Sequence, residues 1–261
     1  MHKRTNKIYR FFNPETVAED EVIYLDTAES HHARNVLRLR QGEQVQVLNG
    51  KGLEVTGILE FKSGRNAQVK KLTVRYLDKP EKPCILGFAA TDNRDSDALI
   101  IRSAVEMGVT EISVLISQYA GFKQSGDTNR FLERRHKIMV GACKQSGRLW
   151  LPEITGPMKL EDFLDSVSKS VQVFAGWEPG LGKSMPSFLP SQIQQKGFAW
   201  IVGPEGGWSS SDVSILDKKG VSLISLGSST LTSPVAAIAG LAALKVIFDD
   251  WWPFYDEIRM K

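Results

Sequence analysis

Gly203-Pro204-Glu205-Gly206-Gly207 is the segment of this chain best suited to hold a ligand against bare backbone. It follows the apolar run Phe198–Val202 and precedes Ser209 and Ser210, either of which can cap a helix that Gly220 would end. Glycines let backbone approach a flat ligand closely, and Pro204 stiffens the loop so that its N–H and C=O groups stay aimed. The spacing is neither that of a dinucleotide fingerprint nor that of a P-loop. A tight strand-to-helix turn without a ligand has the same composition, so both readings stand. His2, His31, His32 and His136 show no ligand spacing, and Cys84 and Cys143 lie far apart with no CxxC pair. The expectation is no metal site and two reduced core thiols.

Charge adds a second clue. Residues 1–149 hold 24 Lys and Arg against 18 Asp and Glu, whereas residues 150–261 hold 9 against 12. Lys3, Arg4, Lys7 and Arg10 open the chain with no acid among them. Lys62, Arg65, Lys70, Lys71 and Arg75 form a second acid-free cluster, and residues 123–148 carry seven bases against Asp127 and Glu133. Such clusters can neutralise phosphates and release counterions, although each alone also suits a solvated surface. With 42% hydrophobic and 24% charged residues the composition is that of a soluble globular protein. No apolar run reaches the roughly 18 residues of a membrane span. The start is too polar for a signal peptide, so the expected location is cytoplasmic.

These residues need elements to place them. VIYL (22–25), QVQVLNGKG (44–52), EVTGILEF (54–61) and AQVKKLTVRYL (67–77) read as strands, with Asn49-Gly50 and Ser63-Gly64 as turns. Between the first two, SHHARNVLRL reads as a helix capped by Ser30. This predicts a small β-barrel domain over 1–77. The segment DKPEKP (78–83) is the best linker, and beyond it the pattern becomes alternating α/β over 78–261. CILGFAA (84–90), VTEISVLI (109–116), VQVFAG (171–176), FAWIV (198–202) and SLISLG (222–227) are buried-strand runs. Ser96 is the expected cap of a helix ended by Gly108, and a long helix is expected over about 128–146. Alternation of this kind implies a parallel sheet covered by helices, with ligands at the carboxyl ends of its strands.

Four segments, in order, carry a resemblance: His32 to Arg38 (His-xxx-Val-Leu-Arg), Glu106 to Val109 (Glu-x-Gly-Val), Ala142 to Arg148 followed by Pro152 to Ile154, and the glycine-rich loop with Leu226-Gly227 downstream. The chain resembles the SPOUT family of methyltransferases that modify N3 of a uridine in small-subunit (16S) ribosomal RNA. The resemblance covers nearly the whole chain. It implies a PUA-like N-terminal β-barrel, a C-terminal α/β domain with a deep trefoil knot, and a homodimer. It also implies S-adenosyl-L-methionine (SAM) as cofactor and ribosomal RNA or the small ribosomal subunit as partner. The cofactor would lie among three loops: Ala175, Gly176 and Trp177 up to Glu178; Gly203, Pro204, Glu205, Gly206 and Gly207; and Leu226, Gly227, Leu231 and Ala236.

The implied reaction is attack of uracil N3 on the sulfonium methyl. A cation beside a uracil carbonyl would favour the N3 anion, and Arg148 is the first candidate, with a helix-end phosphate contact as its other reading. Arg10, His32, Arg38 and Arg65 are the expected RNA contacts. The family pattern of Leu-Arg-x-Glu-Thr-Ala is here Leu231-Thr232-Ser233-Pro234-Val235-Ala236, which lacks the arginine and the glutamate. Ser103 and Lys144 also stand where the family has lysine and glutamate. Arg102 and Lys144 are therefore the candidate substitutes for the missing cation. Ser233 is the expected N-cap of a helix over 234–248 whose small residues suit a dimer interface or the chain's own sheet. A non-catalytic RNA-binding dimer and a methyltransferase for another RNA position are the alternatives.

Overall fold

The computed structural model describes residues 8–62, 66–91, 93–117, 119, 128–177, 183–184, 197–248 and 259–260. The chain divides into two compact units. One takes the chain up to Lys79 together with Val140–Leu151 and Arg259–Met260; the other takes Pro80–Met139 and the chain from Pro152 to Phe248.

The first unit is a half-barrel around one core. Its strands are β1 (Arg10–Phe12), β2 (Val22–Tyr24), β3 (Gln44–Leu48), β4 (Leu53–Glu60) and β5 (Gln68–Tyr76), with β13 (Arg259–Met260) at the end of the chain. The order is β1-β3-β4-β5-β13, and β2 also pairs with β5. Phe11, Ile23, Leu25, Val47, Val55, Leu59 and Val69 fill its interior. The Asn49-Gly50 turn forms as read: Asn49 Oδ1 accepts from the N–H groups of Lys51 and Leu53 at 2.7 and 3.1 Å, and Gly50 has φ +73°. Residues 149–151 lie along this turn. Gly52 N donates to Leu149 O at 3.0 Å, Leu151 N donates to Gly50 O at 3.0 Å, and Trp150 Nε1 donates to Leu77 O at 2.8 Å.

In this unit one helix start differs from the reading. α1 (Thr27–His31) begins at Asp26, whose side chain accepts from Glu29 N, and it passes into a π-helical turn over His32–Val36. Ser30 is inside the helix and buried; its Oγ donates to Leu25 O and accepts from Ala67 N. A buried hydroxyl with two backbone partners ties helix to strand, a role that local sequence does not separate from capping.

The second unit holds a seven-stranded, all-parallel sheet in the order β10-β12-β9-β11-β6-β7-β8. Its strands are β6 (Cys84–Ala89), β7 (Glu111–Ile116), β8 (Glu153–Lys159), β9 (Val171–Trp177), β10 (Lys183–Ser184), β11 (Gly197–Val202) and β12 (Ser222–Ser225). Every residue of β6 and β11 is buried, as a central parallel strand requires. Helices α2 (Arg94–Glu106), α3 (Thr128–Ser146), α4 (Leu160–Ser166) and α5 (Ser210–Lys218) lie between them in sequence, and α6 (Ser233–Ile247) follows β12. α3 belongs to the second unit up to Met139 and to the first from Val140.

Asn93, not Ser96, caps α2: its side chain accepts from the N–H groups of Asp95 and Ser96. Inside that turn Asp97 accepts from Thr91 N at 3.2 Å and forms a buried ion pair with Arg135. Burial pushes the Asp97 carboxyl up, against the pull of Arg135, and pushes the Arg135 guanidinium down, against the pull of Asp97. α6 starts one residue earlier than read, with Thr232 as its cap residue and no side-chain capping bond. Ala237, Gly240, Leu241 and Leu244 are its buried face, and it packs on β11 and α2.

Candidate active site

The carboxyl ends of β9, β11 and β12 open onto one cavity of about 390 Å³, within the range of small-molecule sites. Chain after β11 turns through Gly203 to Gly207, where Gly207 N donates to Pro204 O at 2.9 Å and Gly207 takes φ +73°. α5 then starts at Ser209, which forms a reciprocal capping box with Asp212. Three contacts fix this loop. Trp208 Nε1 donates to Gly176 O at the end of β9 at 3.0 Å, Ser233 Oγ donates to Gly203 O at 3.2 Å, and Asp212 Oδ2 accepts from Ser117 Oγ at 3.0 Å. Side chains would be crowded at two of the glycines: a Cβ at Gly203 would stand 2.9 Å from Trp208 Cε2, and one at Gly206 3.0 Å from Tyr119 Cβ.

A third wall comes from the chain between β12 and α6. Gly227 takes φ +144° and its carbonyl accepts from Ser225 Oγ at 3.0 Å. Trp200 Nε1 donates to Ala236 O at 3.1 Å, which anchors the start of α6 over β11. Gly240 lets the helix close on that indole, since a Cβ there would lie 2.1 Å from Trp200 Cε2.

Of the expected cofactor residues, Gly176, Trp177, Gly203 to Gly207, Leu226, Gly227, Leu231 and Ala236 line this one cavity. Ala175 is buried in β9 and Glu178 lies outside the described residues. Val202, Trp208, Ser229, Thr230, Thr232 and Ser233 line it too. Only Trp208 and Val202 fall outside the loops singled out in the sequence, because a valine ending a buried strand and a tryptophan just before the next helix both read as core.

The expected catalytic and RNA contacts are more scattered. Arg102 is exposed on α2 in the second unit. Lys144 and Arg148 belong to the first unit. There Lys144 pairs with Glu29 at 2.6 Å, and Arg148 Nε donates to Trp150 O at 2.6 Å. Arg10 turns its guanidinium onto the end of α3: Nη1 donates to Lys144 O and Gln145 O at 3.2 Å, and Nε to Gln46 Oε1 at 2.9 Å. It thereby satisfies carbonyls that a helix end leaves open. Burial lowers the His32 pKa, and Lys144 lowers it further. Arg38 is exposed and holds φ +54°, a left-handed conformation that costs a non-glycine residue energy. Arg65 lies outside the described residues. Cys84 and Cys143 are buried free thiols, and burial pushes Cys143 up to about 11.

Residues 79–245 match the family model of the RNA methyltransferase domain, and residues 25–72 match that of the RNA methyltransferase PUA domain. The chain belongs to this RNA methyltransferase family. Among its relatives, ribosomal RNA small subunit methyltransferase E of Synechocystis sp. is 32% identical over 88% of this chain and 76% of that protein. The enzyme of the same name from Rickettsia conorii is 27% identical over 92% and 96%. A methyltransferase from Legionella pneumophila, solved with bound SAM, superposes with a TM-score of 0.80 at 25% identity, covering 92% of this chain and 98% of that one. Ribosomal RNA small subunit methyltransferase E from Neisseria gonorrhoeae shares the fold with a TM-score of 0.81 at 23% identity, over 93% and 98% of the two chains.

Proposed function

We propose that this protein transfers the methyl group of SAM to N3 of a uridine in small-subunit ribosomal RNA. The observation that carries the reading is the glycine-walled cavity at the carboxyl ends of β9, β11 and β12. The relatives' names and the SAM-bound Legionella structure support it. The cavity suits SAM on its own chemistry: Gly203 and Gly206 leave backbone bare, Leu226 and Leu231 offer apolar faces to an adenine, and Trp177 Nε1 is buried with no partner among the described residues. An unpaired buried donor costs stability unless a ligand accepts from it. SAM supplies an electrophilic methyl on sulfur. The chain's part is to hold that cofactor with bare backbone, exclude water from the cavity, and set the base beside it.

A cation at a uracil carbonyl would favour the N3 anion, and Arg148 together with Arg102 or Lys144 is the set proposed to provide it. The reading further includes RNA held through basic side chains of the N-terminal unit, a homodimer, a cytoplasmic location and the knotted threading of the family. Among the described residues no helix is long and apolar enough to cross a membrane.

The decisive experiment is transfer of tritiated methyl from SAM to small ribosomal subunits from a strain lacking the protein, with the product nucleoside mapped after digestion. N3-methyluridine at one position is the expected product. Single Ala substitutions at Arg102, Lys144 and Arg148 should each be assayed, and loss of about 10²–10³ in rate marks a residue that stabilises developing charge. A wild type that binds RNA and transfers no methyl would replace this reading with a non-catalytic one.

A further inference from the structure

Glu205 is the one titratable side chain among the described residues that line the cavity. It is exposed, and among the described residues it has no hydrogen bond or ion pair. Its two neighbours in the loop hold it in place: Pro204 is buried, and Gly206 abuts Tyr119, whose Cβ would be 3.0 Å from a Cβ at position 206. Tyr119 itself is 53% exposed. A carboxylate that lines the cavity and an exposed tyrosine therefore flank the same cavity-lining glycine. A flat base that stacks on such a ring presents its edge to the neighbouring side chains.

We infer that Glu205 is the general base that takes the N3 proton of the target uracil, with Tyr119 as the platform for that base. The inference rests on the uridine-N3 reading above. The N3–H bond breaks, its proton goes to a Glu205 oxygen, and its electron pair stays on N3, which forms the bond to the methyl carbon. The sulfur keeps the pair of the broken carbon–sulfur bond and becomes neutral, and Glu205 releases the proton to water. A neutral imide nitrogen is a poor nucleophile, and a positioned carboxylate typically contributes about 10²–10⁴ in rate to such a proton transfer. Glu205 is suited to this step because, among the described residues, no cation pairs with it and no donor fills its oxygens.

The test uses the full-length protein and Glu205→Gln, which keeps size and polarity at an exposed position. SAM affinity by calorimetry should stay within about threefold, while methyl transfer falls by about 10²–10⁴. RNA in which uridine is replaced by 5-fluorouridine, whose N3–H is more acidic, should recover a large share of that loss in the variant and change the wild-type rate little. The variant's rate should climb with pH between 7 and 9 where the wild type is level. An unchanged rate, a SAM affinity that falls in step with the rate, or no preferential recovery on 5-fluorouridine RNA each overturns the assignment while leaving the uridine-N3 reading intact. Absence of N3-methyluridine from the wild-type digest removes both.

Discussion

Gly206 has the clearest single-residue consequence in the structure. It lines the cavity, and a Cβ there would stand 3.0 Å from Tyr119 Cβ, so a branched side chain would crowd both. Gly206→Val should lower SAM affinity at least about tenfold by calorimetry, with cooperative thermal unfolding retained because the loop is exposed there. Equal affinity for the two proteins would take the loop out of the site. The loop itself was legible in sequence as three glycines after a buried strand, with a plain tight turn as its other reading until the resemblance was added. Two assignments were not. Arg10 reads as an RNA contact until its guanidinium is seen on the carbonyls of Lys144 and Gln145, a contact between residues more than 130 positions apart. Ser30 likewise reads as a cap until its partners are found in the backbone of Leu25 and Ala67, just beyond β2 and just before β5.

Among the elements, the turn from β6 into α2 depends on the buried Asp97–Arg135 pair, with side chains 6% and 10% exposed. Desolvation opposes both charges, so the pair contributes little net stability, yet losing one partner strands the other. Arg135→Ala should cost about 3–5 kcal/mol in urea unfolding of the full chain, and replacing both residues by apolar ones of similar size should restore most of it. If Arg135→Ala and the double variant unfold at the same urea concentration, the pair is not the cause. The long periodic elements, α3 above all, matched the reading because their pattern spans many residues. β8 did not read as a strand, because Gly156 and Pro157 interrupt EITGPMK; as the outermost strand, with a register shift opposite Ser113–Leu115, it tolerates both. β1 and α4 are three and seven residues long and leave too little pattern to detect.

For the whole molecule, RNA affinity should be strongly salt-dependent. If Arg38 and its basic neighbours meet phosphates, the log–log slope against salt should be roughly −0.7 to −0.9 per contact, measured by fluorescence anisotropy at several ionic strengths. A flat response would place the RNA elsewhere. α6 spends Ala237, Gly240, Leu241 and Leu244 on its own sheet and helix α2, and leaves Val235 and Val246 at 48% and 66% exposure on its other side. That outer face is where a second copy is expected. Sedimentation should therefore show a dimer at micromolar concentration, and Val246→Glu should shift it towards monomer; a monomeric wild type would end the proposal. The two-part layout was visible from the shift between strand-only and alternating patterns near residues 78–83. The return of Val140–Leu151 to the first unit was not, because it is made by the far end of one continuous helix and the short segment after it.

That return orders events during synthesis. Gly50 and Gly52 find their backbone partners in Leu151 and Leu149, and β5 pairs with β13, so the first unit gains Val140–Leu151 only when residue 151 has left the ribosome, and β13 later still. At about 5–20 residues per second, the roughly 70 residues between Lys79 and residue 151 delay the first of these steps by several seconds. During that interval β6, α2 and β7 of the second unit emerge while the N-terminal half-barrel still lacks Val140–Leu151 and β13. Vectorial folding, in which one domain closes before the next is translated, is therefore denied to this chain, and the two units mature together.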